Sequence, residues 1–238
     1  LLHDYEREDI PGTKTNWEIG GDYEYRRDDG NRFKILVIAN KNDTANTRER
    51  WDILENGSEE KNLFLDTGSI LEERIMRGSY TMNLFGGQDV EVGAERAQTI
   101  LDSNLALGLL SGSEASSQAF GGLSPVNIPN ANTRVEEVRY EPFAIHNWRI
   151  SPRMSLETSL VYETSEISMS GDVSNSRDFN FFKPKLDYRF DVTPQLQLRV
   201  LIEKVVRQLS FTDFVATSDQ DDEDSNTLAG NSNLRPDY

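Results

Sequence analysis

The sequence of 238 residues contains no cysteine, which excludes disulfide bonds and thiolate metal sites and leaves the redox compartment undetermined. Long hydrophobic runs are also missing. No stretch approaches the roughly 18 continuous apolar residues that a transmembrane helix needs. This second absence does not exclude a membrane β-barrel, because the strands of such a barrel are only about half apolar.

Positive charge and histidine are scarce. The 25 Lys and Arg residues face 41 Asp and Glu residues, which gives a net charge of −16. Phosphate binding needs clustered Lys and Arg, so this balance argues against nucleic acid as a partner. The two histidines are His3 and His146, and we expect His146 to be a wall or interface side chain of a strand. We find no catalytic, metal or cofactor set with usable spacing, so the sequence predicts no enzyme.

The two ends of the chain look abrupt. It begins at Leu1 without Met and without an apolar leader, and it stops at Tyr238 in a polar stretch. We therefore expect a segment of a longer protein rather than a chain with its own signal peptide.

An alternation between apolar and charged residues dominates the stretch from Phe182 to Ile202. Even-numbered positions up to Val192 are apolar, and odd-numbered positions from Lys183 to Asp191 are charged. After a break at Thr193-Pro194-Gln195 the alternation resumes. A period of two predicts β-strands, and the short Pro-containing break predicts a hairpin. The charged row suits water on a soluble sheet, or the polar lumen of a membrane barrel whose apolar row faces lipid.

The same pattern predicts three further hairpins along the chain. Tight turns are expected at Asp29, Gly86, Pro152 and Pro194, while longer polar loops are expected at residues 40–71, 109–132, 168–178 and 218–226. Short turns on one side and long loops on the other are typical of an up-and-down transmembrane β-barrel. We predict an all-β, antiparallel barrel segment that supplies about eight strands of a larger barrel.

Two prolines conflict with regular pairing. Pro142 and Pro184 lie inside predicted strands, and proline cannot donate to a β-ladder. We expect a bulge at these positions, or a place near the loop-side rim of the membrane band.

Two sets of charged residues, one acidic and one basic, could each bind a ligand, and for each we weigh a simpler interpretation. The run Asp219–Asp224 offers oxygen ligands for Ca²⁺, but it lacks the spacing of an EF-hand, and we favour a solvated loop. The predicted lumen-facing cations could guide an anionic substrate. We favour cross-strand pairing with nearby carboxylates instead. The cations are Lys183, Lys185, Arg189 and Arg199, and the expected partners are Asp187, Asp191 and Glu203.

Several segments resemble barrel strands of proteobacterial TonB-dependent receptors. They are residues 11–13, 17–24, 182–190 and 208–215, together with the closing stretch 229–237. The closing stretch is similar to the family's Gly-Asn-Pro-x-Leu-x-Pro-Glu element, although Ser232 replaces the usual Pro and Asp237 the usual Glu. The resemblance implies an outer-membrane barrel that takes up a scarce ligand, with residues 1–238 forming part of one barrel domain.

The resemblance also implies partners that this stretch does not contain. They are a small-molecule or oligosaccharide ligand, the lipid of the bacterial outer membrane, and a TonB complex that acts through a plug domain absent here. Three alternatives stay open: a soluble all-β module that binds a ligand or glycan, a passive porin, and an outer-membrane enzyme. A soluble module predicts shorter strands with similar loops at both ends.

Overall fold

A computed structural model describes residues 5–206, 211–218 and 227–228. Within these ranges β-strands form nearly all of the regular structure. The exceptions are two 3-10 turns, Gln118–Phe120 and Phe211–Phe214. In the same ranges no helix has the length and apolar character needed to cross a bilayer.

Most strands in the described part of the chain are very long. They are β1 (Tyr5–Asp9), β2 (Gly12–Arg26), β3 (Arg32–Ile53), β4 (Glu59–Leu84), β5 (Gln88–Leu109), β6 (Ser124–Val126), β7 (Asn132–Ser151), β8 (Met154–Gly171), β9 (Asn175–Thr193), β10 (Leu196–Glu203), β11 (Thr217–Ser218) and β12 (Thr227–Leu228). β4 alone has 26 residues, more than twice the roughly 9–11 that cross a membrane.

Strands β1 to β10 form one antiparallel sheet, in which the long strands pair in chain order. The order is β1-β3-β4-β5-β7-β8-β9-β10, with β2 also on β3 and the short β6 on β5. β1 and β2 follow each other along the same edge of β3, so the two act as one interrupted strand. The sheet therefore has about eight strand positions, as predicted, and it is not closed within the described residues. β11 and β12 pair separately.

The four predicted tight turns are confirmed and lie at one end of the sheet, here called the turn end. They connect β2 to β3, β4 to β5, β7 to β8 and β9 to β10. Gly86 and Gly87 have φ values of 71° and 72°, a conformation that glycine adopts without strain. The opposite end, the loop end, carries the long connection 110–131 between β5 and β7.

Two predicted loop boundaries are wrong. Residues 40–71 are strand apart from a five-residue turn at 54–58, and β3 pairs with β4 along the whole length of β3 with one register shift. The loop predicted at 168–178 shrinks to residues 172–174. Both errors have one physical reason. Near this end of the strands polar residues interrupt the alternation of apolar and charged rows, while the pairing between neighbouring backbones continues.

The two prolines lie in register, so the predicted bulge is wrong. Pro142 pairs with Ala94, and Pro184 pairs with Leu160 without a register shift. Each proline lies about nine residues from the turn end of its strand, which is the length of a membrane-spanning segment. The Pro184 carbonyl accepts from the Lys204 N–H just past the end of β10, so few ladder bonds are lost there.

The sheet has two faces that differ in burial. On β8 the buried residues Ser159, Glu163 and Ser165 alternate with the exposed Leu160 and Tyr162. We call the more buried face, which carries the charged rows, the inner face, and the opposite one the outer face. Near the turn end the polar residues are thus hidden and the apolar ones exposed, which reverses the usual order of a water-soluble sheet.

Candidate functional site

The outer face carries a continuous apolar row near the turn end. Residues paired in register place these side chains beside one another on successive strands. Aromatic, aliphatic and proline side chains in such a band suit the lipid-facing surface of a barrel. Across β2, β3, β4, β5, β7, β8 and β9 the row reads Tyr25, Phe33, Tyr80, Val92, Ala144, Leu160 and Pro184.

β9 and β10 extend the apolar surface to the open edge of the sheet. Phe190 pairs with Leu198, Tyr188 with Val200, and Leu186 with Ile202, which is 65% exposed. An exposed apolar patch that spans several neighbouring strands is rare on water-soluble monomers. The outer face therefore needs a nonpolar environment.

The inner face carries a ladder of ion pairs at about the same distance from the turn end as the apolar row of the outer face. Successive charges alternate in sign across five neighbouring strands, with N···O distances between 2.6 and 3.8 Å. Long charged side chains reach across strands, so each one neutralises its neighbours. In order of contact the ladder consists of Arg77, Glu95, Arg139, Glu141, Lys183 and Glu163.

Asp187 is the most enclosed charge of β9. It is only 2% exposed, and its carboxylate accepts hydrogen bonds from Arg189 at 2.9 Å and from Arg199 on β10 at 2.7 Å. The predicted cross-strand pairing is thus confirmed for Arg199, whereas Arg189 pairs with Asp187 along the same strand. Lys183 and Lys185 also pair across strands, but with carboxylates of β7 and β8 rather than with the predicted partners.

Towards the loop end the inner face becomes apolar, which the sequence analysis missed. Residues 211–216 pack against this surface, with Phe214 only 2% exposed. Phe214 and Val215 belong to one cluster, while Ala216 belongs to a second one beside Ile128. The apolar residues beneath them on the strands are Leu63, Leu65, Leu101, Leu105, Leu107, Val135, Ile167 and Met169.

The long connection 110–131 folds over the same region. Its β6 pairs with the last residues of β5, beyond the point where the β5–β7 pairing ends. Ser124 fixes the start of the connection, because its hydroxyl accepts from the Glu114 N–H at 2.9 Å and donates to the Glu114 carbonyl at 2.7 Å. The connection is therefore an ordered wall of the loop end rather than an open coil.

A cavity of about 650 Å³ lies between this connection, β5 and the β8–β9 turn. Its lining combines apolar surface with two carboxylates and several amides. Asn130 lines the cavity and has a φ of 61°. Among the described residues it is the one residue other than glycine with a positive φ. The lining residues are Leu105, Glu114, Phe120, Pro125, Val126, Asn127, Ile128, Pro129, Asn130, Ala131, Asn132, Asp172 and Val173.

A basic and aromatic cluster stands at the other loop-end corner. The Arg7 guanidinium lies 3.8 Å from the centre of the Trp51 ring and hydrogen-bonds the Glu59 carboxylate at 2.9 Å. The hydrogen bonds that Arg7 donates, first to Glu59 and then to Asp9 in order of effect, raise the pKa of Arg7. These contacts join β1 to the β3–β4 hairpin, so the cluster is structural.

The candidate chemical groups of the sequence analysis do not assemble. His146 lies on β7, and its Nε2 is 2.9 Å from the Gln88 Oε1, as a wall residue would be. No group of three or more His, Cys, Asp or Glu among the described residues has metal-binding geometry. His3, the acidic run 219–224 and the closing stretch 229–237 lie outside the described residues.

An apolar outer face, a charge-paired inner face and long strands with tight turns at one end define the wall of an outer-membrane type β-barrel. A family model described as TonB dependent receptor-like, beta-barrel, matches residues 2–238, so the chain belongs to this family. Its members are outer-membrane receptors and transporters. No curated protein matches the chain significantly.

Proposed function

We propose that the chain is part of the barrel wall of a receptor in the bacterial outer membrane that imports a scarce ligand by TonB-dependent active transport. Besides the family membership, one structural observation supports the proposal. The exposed apolar row and the buried ion-pair ladder lie on opposite faces of the same strands. A soluble binding module would reverse this order.

On this proposal the loop end is where ligand is captured. The strands extend far beyond the membrane band there, and residues 110–131 and 211–216 form an ordered, partly apolar chamber. Residues 1–238 would form one stretch of a single barrel domain. A plug domain elsewhere in the protein would connect the barrel to TonB, so this chain alone would not transport.

The test expresses the whole gene that contains this chain in two matched host strains, one with TonB and one from which TonB has been deleted. Cells are grown with one limiting nutrient at a time: ferric complexes, cobalamin or oligosaccharides. We expect growth on at least one nutrient to need both the receptor and TonB. Uptake that needs the receptor but continues without TonB would contradict the proposal and favour a passive porin.

A further inference from the structure

We propose that the loop-end cavity binds an uncharged, hydroxyl-rich ligand of the oligosaccharide class. This inference rests on the proposed function, because it names the cargo that the receptor would capture. The cavity of about 650 Å³ lies within the range of roughly 300–1,000 Å³ that is usual for ligand sites.

The walls of the cavity are fixed before any ligand arrives. The Asn132 N–H donates to the Asp172 carboxylate at 2.8 Å, and the Asp172 N–H donates to the Asn132 carbonyl at 2.9 Å. The Thr133 hydroxyl donates to the Asn130 carbonyl at 3.0 Å. A preformed wall lowers the entropy cost of binding.

Asn130 adds a second sign of a built site. It is buried at 7% exposure and keeps a left-handed backbone with φ at 61°. Such backbone strain collects at ligand clamps, and asparagine tolerates it better than most residues. The neighbouring Ile128 and Ala216 pack into one apolar cluster, which holds this turn in place.

The charge of the lining excludes anionic ligands. The charged residues among those that line the cavity are Glu114 and Asp172, and the described lining contains no Lys, Arg or His. An anion would meet two carboxylates without a compensating cation. The turn-end cavity of about 530 Å³ differs in this respect, since Arg149 and Arg189 line it.

The remaining lining groups match a sugar. The exposed side chains of Asn127 and Asn132 can each donate and accept hydrogen bonds, as adjacent sugar hydroxyls require. Phe120, Pro125 and Pro129 supply apolar surface for the C–H face of a pyranose ring. This combination of orienting polar groups and apolar walls is usual for small-molecule sites.

The test measures binding by titration calorimetry to the full-length receptor in detergent. The neutral probes are maltohexaose, cellohexaose and xylohexaose, and the charged probes of similar length are hexagalacturonate and the chitosan hexamer. We expect a neutral probe to bind. Asn127→Ala should weaken that binding about tenfold, because one or two hydrogen bonds are lost. Gln118→Ala, an exposed amide on the same connection but outside the lining, is the matched control and should change nothing.

A carboxylate variant separates neutral from cationic ligands. Glu114→Gln should change the affinity for the neutral probe by no more than about twofold, because an uncharged ligand has no charge that could pair with the Glu114 carboxylate. Binding of hexagalacturonate, or binding of the chitosan hexamer alone with a loss on Glu114→Gln, would overturn the inference. So would the failure of every neutral probe to bind.

The two proposals fail in different ways. TonB-dependent growth on a ferric complex without binding of any neutral probe would overturn the sugar inference and leave the proposed function in place. Neutral binding with the expected Asn127 dependence, combined with uptake that does not need TonB, would overturn the transport proposal and leave the cavity assignment in place.

Discussion

Arginine at Val200 should destabilise the assembled barrel, because this side chain lies on the outer face about midway along the membrane-spanning part of β10. Val200 is 40% exposed and pairs with Tyr188 in the apolar band. An arginine at the bilayer midplane on the lipid face costs about 2–4 kcal/mol. That cost corresponds to a roughly 30- to 700-fold lower ratio of folded to unfolded barrel.

The neighbouring residue provides the control. Leu201 lies on the inner face beside Asp187, at almost the same depth as Val200. Leu201→Arg should cost less than about 1 kcal/mol, because its guanidinium reaches the polar inner face. Leu196→Arg, on the outer face at the turn end, should also cost only about 0–1 kcal/mol, since the penalty falls near the interface.

The assay follows guanidinium unfolding of the full-length receptor from phospholipid vesicles by tryptophan fluorescence. Heat-modified mobility on a gel gives a second measure of the folded fraction. The predicted order of cost is Val200→Arg far above Leu201→Arg and Leu196→Arg. Equal costs at Val200 and Leu201 would refute the assignment of the outer face to lipid, because depth is the same and only the face differs.

Three further changes test the packing of the described residues. Gly93→Ala should cost about 1–3 kcal/mol by overpacking, because its new Cβ would clash with a backbone carbonyl, whereas Gly21→Ala has open space and should be neutral in the same unfolding assay. Phe214→Ala should expose the loop-end apolar surface and speed hydrogen exchange at the loop ends of β7 and β8 by about 100-fold. Phe211 is less buried, so Phe211→Ala should have a smaller effect, and equal exchange in both variants would contradict this. Asp187→Asn should lower the unfolding midpoint in the same assay, since it leaves two half-exposed arginines without their carboxylate, and an unchanged midpoint would show that the pairs contribute nothing.

The strands near the turn end were predictable from the sequence because lipid and lumen impose opposite demands on alternate residues. The rows around Trp17–Tyr25 and Phe182–Phe190 therefore show a clear period of two. The turns were predictable because Gly, Asp and Pro have specific backbone requirements. In residues 40–71 polar residues interrupt the alternation, and cross-strand pairs such as Thr47 with Asp66 take its place. The stretch therefore looked like a loop, although Leu63 and Leu65 are buried there.

The candidate site was much less predictable. The inner-face cations and their charge pairing follow from the pattern, but the partner of Lys183 depends on the register between β8 and β9, which the sequence does not reveal. The loop-end cavity depends on contacts between distant segments. The apolar run around Phe214 and Val215 was the one visible signal that residues 211–216 would be buried, and it did not indicate where they would dock.

In the assembled barrel, alternate residues of β9 should face lipid and lumen. The most direct measurement places single cysteines at consecutive positions of residues 185–190 in the full-length receptor, labels them with an environment-sensitive fluorophore and adds lipid-borne quencher. We expect strong quenching at Leu186, Tyr188 and Phe190 and weak quenching at Lys185, Asp187 and Arg189. Uniform quenching, or none at any position, would contradict this expectation.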